Sequence, residues 1–284
     1  MSNVISVRDL RYRYPRASTY AVDGMTFDVA EGEVFGFLGP SGAGKTTTQQ
    51  IVIGLLEGWS GSVEILGRPR RDWRRDLYDH IGVSFELPVG YPRLSVREDL
   101  AYFGNLHRTE VLDPIEVLRA VGLADAADVR ISDLSKGMRV RLNLARSLLH
   151  QPRVLFLDEP TSGLDPVNTS AIRDIIRRLR ESGKTVFLTT HDMATAAAVC
   201  DRVAFVVEGR IATIGNPREL ELAHGRRVIS VEYREDDRVV SRSFPVGTSD
   251  PAYLALLTSD SLVSVHTEDA TLDEVFVELT GARL

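Results

Sequence analysis

Residues 39–46, Gly-Pro-Ser-Gly-Ala-Gly-Lys-Thr, restrict the fold of this chain more than any other segment. The apolar run Val34-Phe-Gly-Phe-Leu38 leads straight into them. A helical pattern follows from about Lys45 to Leu56, with Ile51, Val52 and Leu55 as its expected buried face. Strand, glycine-rich loop and helix are the setting in which the spacing G-x-x-x-x-G-K-[ST] cradles phosphate. The expected cradle is Gly39, Pro40, Ser41, Gly42, Ala43, Gly44, Lys45 and Thr46, with Thr47 beside it. Its glycines let backbone N–H groups converge on phosphate oxygens, and the helix N-terminus adds partial positive charge. Lys45 is expected on the terminal phosphates as a point charge, and Thr46 supplies a hydroxyl for Mg2+.

A second apolar strand, Val154-Leu-Phe-Leu157, ends in Asp158 and Glu159. Adjacent carboxylates at a strand terminus point in different directions and can take different roles. Asp158 is the expected Mg2+ holder, and Glu159 the general base that polarises an attacking water. Without the upstream loop the pair would read as exposed acids. His191 follows the apolar strand Thr185–Thr190, at the carboxyl edge where open α/β sheets gather ligands; a catalytic role on phosphate is expected there, a polar cap or core residue being the plainer reading for a lone histidine.

At 284 residues the chain can form one large core and a smaller one. Residues 4–14 alternate as a strand, and Gly24 and Glu31-Gly32 mark turns of an antiparallel sheet. From about Pro88 to His150 the pattern is mostly helical, with a capping box at Ser95 and Glu98 and a cap at Ser135. Strands return at 154–158 and 185–190 around a helix capped by Asp165, begun by Pro166 and followed by Gly183. Arg173, Arg177, Arg178 and Arg180 of that helix are expected on a solvated face, partly paired with Asp174 and Glu181. Strands alternating with helices give an α/β core. After about Leu220 come strands near 228–234 and 238–244 around the turn Glu235-Asp236-Asp237. A helix from Asp250-Pro251, a strand at 262–267 and a helix capped by Thr271 and Glu274 follow. The expected domains are therefore residues 1–220, with a helical subdomain at about 88–150, and a small C-terminal α+β domain at 221–284.

The net charge of −6 argues against a nucleic-acid partner, and no apolar run approaches a bilayer span. No export signal is evident at Met1-Ser-Asn-Val-Ile-Ser, and the single cysteine, Cys200, excludes an internal disulfide and reads as a buried thiol.

Between the two phosphate motifs lies Leu134-Ser135-Lys136-Gly137-Met138. In that order the motifs resemble those of the ATP-binding cassette (ABC) ATPases, over residues 1 to about 220. The resemblance implies a P-loop ABC-type domain with an antiparallel β subdomain, a RecA-like core and a helical subdomain. It also implies ATP and Mg2+ as cofactors. Tyr14 matches the aromatic on which the family stacks adenine, with Tyr12 as the alternative or either as core. Leu134–Met138 matches the signature Leu-Ser-Gly-Gly-Gln, and Ser162-Gly-Leu-Asp165 the loop that crosses the family's dimer interface. By that likeness Ser135, Gly137 and Asp165 serve ATP held by a second subunit, most simply an identical chain placed head to tail. Physical chemistry is consistent with this for Ser135, which can offer a hydroxyl and free N–H groups at a helix start, and for Gly137, which permits close backbone approach.

Two departures stand out. Lys136 and Met138 replace glycine and glutamine; Lys136 either adds charge near phosphate or points to water, the latter favoured. Glu86, in Ile81-Gly82-Val-Ser-Phe-Glu86, stands where the family's glutamine is usual, as an Mg2+ ligand or as a solvated acid. Ala270–Gly281, and His191-Asp-Met through Cys200-Asp-Arg202, look like the ATPase subunits of bacterial drug and antibiotic exporters. The reading is an ATP-hydrolysing exporter subunit at the cytoplasmic face of the membrane, peripheral through a separate permease. Docking is expected on the helical region, with Tyr91, Pro92 and Leu94 beside Glu86. The alternatives are an ABC ATPase without a membrane partner, in translation or DNA maintenance, and a non-hydrolysing regulatory module.

Overall fold

Six strands form the sheet that carries both phosphate motifs. They are β3 (Val34–Leu38), β6 (Ile81–Ser84), β7 (Val154–Asp158), β8 (Thr185–Thr190), β9 (Arg202–Val207) and β10 (Arg210–Gly215), ordered β10-β9-β3-β8-β7-β6. The computed structural model describes residues 2–87, 90–224, 228–236, 238–268 and 270–281. Pro88, where the helical stretch is expected to begin, and Asp237 of the predicted turn lie outside them. All pairings are parallel except that of β10 with β9. The strands β3, β7 and β8 are buried along their whole length, which is why they read as continuous apolar runs rather than alternating ones.

A second sheet packs on this one: β1 (Asn3–Tyr12), β2 (Val22–Ala30), β4 (Ser60–Ile65) and β5 (Arg68–Pro69), antiparallel in the order β2-β1-β4-β5. Between them sits a cluster of phenylalanines. Phe27 of β2 stacks on Phe35 of β3 with centroids 5.8 Å apart and planes 8° apart, and Phe37, Phe156 and Phe187 fill around them. All five rings are buried. This joint fixes where β3 delivers the glycine-rich loop.

The helices α1 (Lys45–Ile53), α5 (Pro166–Glu181) and α6 (Met193–Val199) accompany the parallel strands. From 91 to 150 the chain forms α2 (Val96–Gly104), α3 (Pro114–Ala120) and α4 (Lys136–Leu148), joined by short 3-10 turns. The Ser95–Glu98 capping box is present, and Ser135 caps α4 by accepting from Met138 N–H. Asp165 caps α5 with Pro166 in its first turn, as the sequence suggests.

Several expectations change. Gly24 is not in a turn: it lies inside β2 with φ +76°, close to a register shift between β1 and β2. Leu55 is not on the buried face of α1, because Gly54 ends that helix in a left-handed conformation and leaves Leu55 half exposed. Arg177 does meet Asp174 at 2.8 Å, but the other α5 arginines are not simply solvated. Arg173 reaches Thr195 Oγ1 at 3.0 Å and Asp192 at 3.6 Å, and Arg180 pairs with Asp201. They fasten α5 to α6 and to the turn before β9. Cys200 is buried at the end of α6 and its thiol pKa is raised by that burial, so it is an inert packing group.

The chain divides into two compact units, Met1–Asn216 and Pro217–Arg283. The second contains α7 (Pro217–His224), β11 (Val228–Glu235), β12 (Arg238–Pro245), α8 (Pro251–Leu257), β13 (Leu262–Glu268) and α9 (Leu272–Thr280). Its antiparallel sheet runs β12-β11-β13, and α9 begins with a complete Thr271–Glu274 capping box. Leu272, Val275 and Phe276 are its buried face.

Candidate nucleotide site

The loop after β3 is shaped by backbone that only glycine adopts comfortably. Gly39 has φ +153°, and a Cβ there would lie 2.1 Å from the carbonyl oxygen of Val206; at Gly44, φ +103°, it would lie 2.3 Å from that of Ala21. The loop is thus pressed between β9 and the segment entering β2, and its residues 41–46 border an open cleft. Tyr14, Ala17, Thr19, Tyr20, Ala21, Ser41–Thr47, Glu86, Glu159 and His191 line a volume of about 480 Å3.

Lys45 opens α1 and folds back over the loop, its ammonium donating to Gly39 O at 2.6 Å and Pro40 O at 3.1 Å. Burial lowers its pKa, and the nearby Glu159 and Asp158 oppose that shift. Thr46 donates its hydroxyl to Asp158 Oδ1 at 3.1 Å, and Thr189 of β8 donates to the same oxygen. Burial pushes the Asp158 carboxyl pKa up, against those two hydroxyls. Thr46 and Glu86 line the cleft, and Asp158 lies behind Thr46 on the shared hydrogen bond; a hydroxyl and carboxylates are hard oxygen donors of the kind that suits Mg2+.

Glu159 continues past β7 with φ +47°, an unusual conformation for a non-glycine residue that costs on the order of 1–3 kcal/mol. Its N–H donates to Thr189 O at 2.9 Å. Oε1 lies 3.7 Å from Lys45 Nζ, and Oε2 lies 3.0 Å from His191 Nδ1 and accepts from His191 N–H at 3.3 Å. The carboxylate is therefore held between a cation and an imidazole, 10% exposed, while the imidazole opens to solvent. A base fixed in this way, beside a phosphate cradle, can orient and deprotonate a water.

Tyr14 and Tyr12 do not share a strand face. Tyr12 ends β1 buried in the core, whereas Tyr14 lies beyond the strand, 40% exposed, edge-on to Tyr12 at 5.0 Å. Its hydroxyl is 3.2 Å from Thr47 Oγ1, placing an exposed ring at the cleft wall. Among the described residues Glu86 accepts a single long contact, from Ser162 Oγ at 3.5 Å.

Ser135, Gly137 and Asp165 are not among the residues lining the cleft. They group elsewhere: a Cβ on Gly137 would lie 2.3 Å from Asn168 Oδ1, and Asp165 holds Asn168 through both its N–H and its side-chain amide. A side chain at Gly137 would therefore have to displace that of Asn168 within the same subunit. Lys136 is exposed, as expected, and its ammonium also donates to Gly163 O at 3.0 Å, which ties the signature helix to the Ser162–Asp165 loop.

Sequence reasoning missed Thr189, whose hydroxyl orients Asp158, and Thr19, Tyr20 and Ala21, which complete the cleft wall. Thr189 sat in a strand already identified, and its place near the carboxyl end was the available signal. The 13–21 loop carries no periodicity to place it.

Residues 22–162 match the ABC transporter family. A fluoroquinolones export ATP-binding protein of Mycobacterium tuberculosis is 50% identical over 286 residues, spanning 100% of this chain and 95% of that one. The Nod factor export ATP-binding protein I of Burkholderia pseudomallei is 36% identical, spanning 93% of each. Among solved structures, a dimeric ATP-binding cassette in a post-hydrolysis state, bound to ADP and Pi, is similar at a TM-score of 0.66. It is 25% identical, over 75% of this chain and 98% of that one.

Proposed function

The chain belongs to the ABC transporter family as an ATP-binding, ATP-hydrolysing subunit, and from that premise we propose that it powers an exporter of drugs, antibiotics or related hydrophobic compounds. Support comes from full-length similarity to a fluoroquinolones export protein and to a Nod factor export protein. The observation that carries the hydrolytic chemistry is the Glu159 carboxylate fixed between Lys45 and His191 at the mouth of the loop. Adenine stacks on Tyr14, and the loop N–H groups and Lys45 hold the phosphates. Thr46 and Asp158, with Glu86, would hold Mg2+, which supplies charge neutralisation on the phosphates. Glu159 takes the proton of the attacking water, and His191 steadies that carboxylate.

The site is completed by a second copy in head-to-tail arrangement. Ser135, Gly137 and Asp165 lie away from the chain's own cleft, as expected of residues that serve ATP bound by the partner. Closure of the two cassettes on ATP and their release after hydrolysis would move a permease. Among the described residues no helix is long and apolar enough to cross a membrane. The proposed membrane connection is that permease, met at the cytoplasmic face.

Tyr91, Pro92 and Leu94 remain docking candidates; Tyr91 is exposed, its hydroxyl 3.3 Å from that of Tyr102. Beside them an apolar groove of about 510 Å3 is walled by Leu55, Tyr78, Phe85, Leu87 and Phe103. Leu87 is 77% exposed at the end of the Glu86 loop, a side chain that a partner segment would cover. The test is co-purification with a multi-span membrane protein encoded beside this chain. Leu87→Asp should dissociate the complex while leaving ATP binding intact. A complex indifferent to changes in the groove and at Tyr91 refutes the docking surface, and failure to find any such complex refutes the transporter role.

A further inference from the structure

The chain carries net negative charge, yet residues 68–75 place five arginines within eight positions, Arg-Pro-Arg-Arg-Asp-Trp-Arg-Arg. In the structure four of them, Arg70, Arg71, Arg74 and Arg75, line one cleft of about 520 Å3 with Trp59, Trp73 and Tyr78. Glu57 is the one carboxylate in that lining, so the guanidinium groups outnumber the acids four to one.

The arginines are not all engaged elsewhere. Arg71 lies over the Trp59 ring at 4.5 Å and donates to Trp59 O at 3.2 Å, which fixes its plane. Arg70 is set directly on Gly54, where a Cβ would come within 1.2 Å of Nη2; one amino group donates to Trp73 O at 3.3 Å. Its Nε is buried and, among the described residues, without a hydrogen-bond partner. A buried guanidinium donor left open is costly unless something outside the chain completes it. Arg74 and Arg75 are exposed, and among the described residues neither forms an ion pair. Fixed guanidinium planes suit the bidentate geometry of phosphate oxygens better than mobile ammonium groups would.

We infer that this arginine–indole cleft is a binding site for a phosphate-bearing anion, presented to the chain by the headgroups of acidic lipids. The source follows from position. Tyr78 is a common wall of this cleft and of the apolar groove, and its hydroxyl donates to Ile53 O at the end of α1. Leu55 and Leu56, successive residues after α1, face the groove and the cleft respectively. If the groove receives the permease, as proposed above, the cleft beside it faces the membrane surface. There basic groups gain from the negative leaflet, and amphipathic rings suit the headgroup layer. The anion chemistry stands on the arginines alone; only the lipid source rests on the docking reading.

The experiment uses the purified full chain, co-sedimented at about 0.1 M salt with neutral phosphatidylcholine vesicles or with vesicles containing about 30% phosphatidylglycerol. Binding should be selective for the acidic vesicles and weaken by roughly tenfold to thirtyfold in the exposed double variant Arg74→Gln/Arg75→Gln. ATP turnover of that variant, measured in parallel, should match the parent and so report an intact fold. A double variant of equal charge change on α5, Arg177→Gln/Arg178→Gln, should bind vesicles as the parent does. Equal loss in both double variants, or none in the first, overturns the site. Saturable binding of inorganic phosphate that needs Arg74 and Arg75, without vesicle selectivity, keeps the anion chemistry and overturns the lipid source. Leu87→Asp separates the two readings: it should release the permease but leave vesicle binding unchanged.

Discussion

Replacing Glu159 by glutamine tests the centre of the proposed chemistry with the smallest change of shape. The side chain keeps its length, and glutamine meets the φ +47° backbone with the same strain as glutamate, so the turn after β7 should persist. What changes is charge and basicity. The carboxylate 3.7 Å from Lys45 Nζ and 3.0 Å from His191 Nδ1 becomes neutral, and no group with comparable basicity replaces it. Loss of a general base typically lowers kcat by about 10²–10⁴, equivalent to roughly 3–5 kcal/mol in the barrier. ATP binding should be retained, because the loop N–H groups and Lys45 are untouched. With a repulsive carboxylate removed from beside the terminal phosphate, affinity should hold or rise. The measurement pairs steady-state phosphate release with equilibrium binding of a fluorescent ATP analogue, and size-exclusion chromatography with ATP should show a trapped dimer. Turnover within threefold of the parent would refute the role given to Glu159. Loss of ATP binding together with turnover would instead make it a structural partner of Lys45.

Thr189→Val removes one of the two hydroxyls on Asp158 Oδ1. Burial already raises the Asp158 pKa, and this hydroxyl opposes the shift, so its loss raises the pKa further. The carboxyl then takes its proton at higher pH, and the acid limb of the kcat–pH profile should move upward, with about tenfold lower turnover near neutrality. Gly39→Ala places a Cβ 2.1 Å from Val206 O, so the loop must shift; ATP binding should be lost and the melting temperature should fall. Phe187→Ala empties the joint between the two sheets and should lower unfolding free energy by about 3–5 kcal/mol in denaturant titrations. Lys136→Met removes the bond to Gly163 O and should change stability by about 1 kcal/mol or less. If that bond sets the register of the signature helix with the Ser162–Asp165 loop, ATP-dependent dimerisation should weaken more than nucleotide binding by the monomer.

The sequence alone determined the elements whose signals are local. Val34–Leu38, Val154–Leu157 and Thr185–Thr190 are fully buried parallel strands, and continuous apolar runs announce such strands directly. Caps at Ser95, Ser135, Asp165 and Thr271 are hydrogen bonds spanning three residues, so their spelling suffices. The glycine-rich loop was legible for the same reason: positive φ and close approach demand glycine at fixed spacing.

What only the tertiary structure decided involves partners distant along the chain. Thr189 on Asp158, Lys136 on Gly163 and Arg173 on Thr195 are each separated by more than twenty residues, and no periodicity records such pairs. Leu55 and Gly24 were misplaced because one glycine ends a helix and the other bends a strand, outcomes set by neighbouring packing rather than by the residue itself. The arginines of residues 70–75 carry no motif by which sequence alone would mark a site. They become a cleft only when the chain folds them over Gly54 and against both tryptophans, because a site is a convergence of side chains and sequence order does not encode distance.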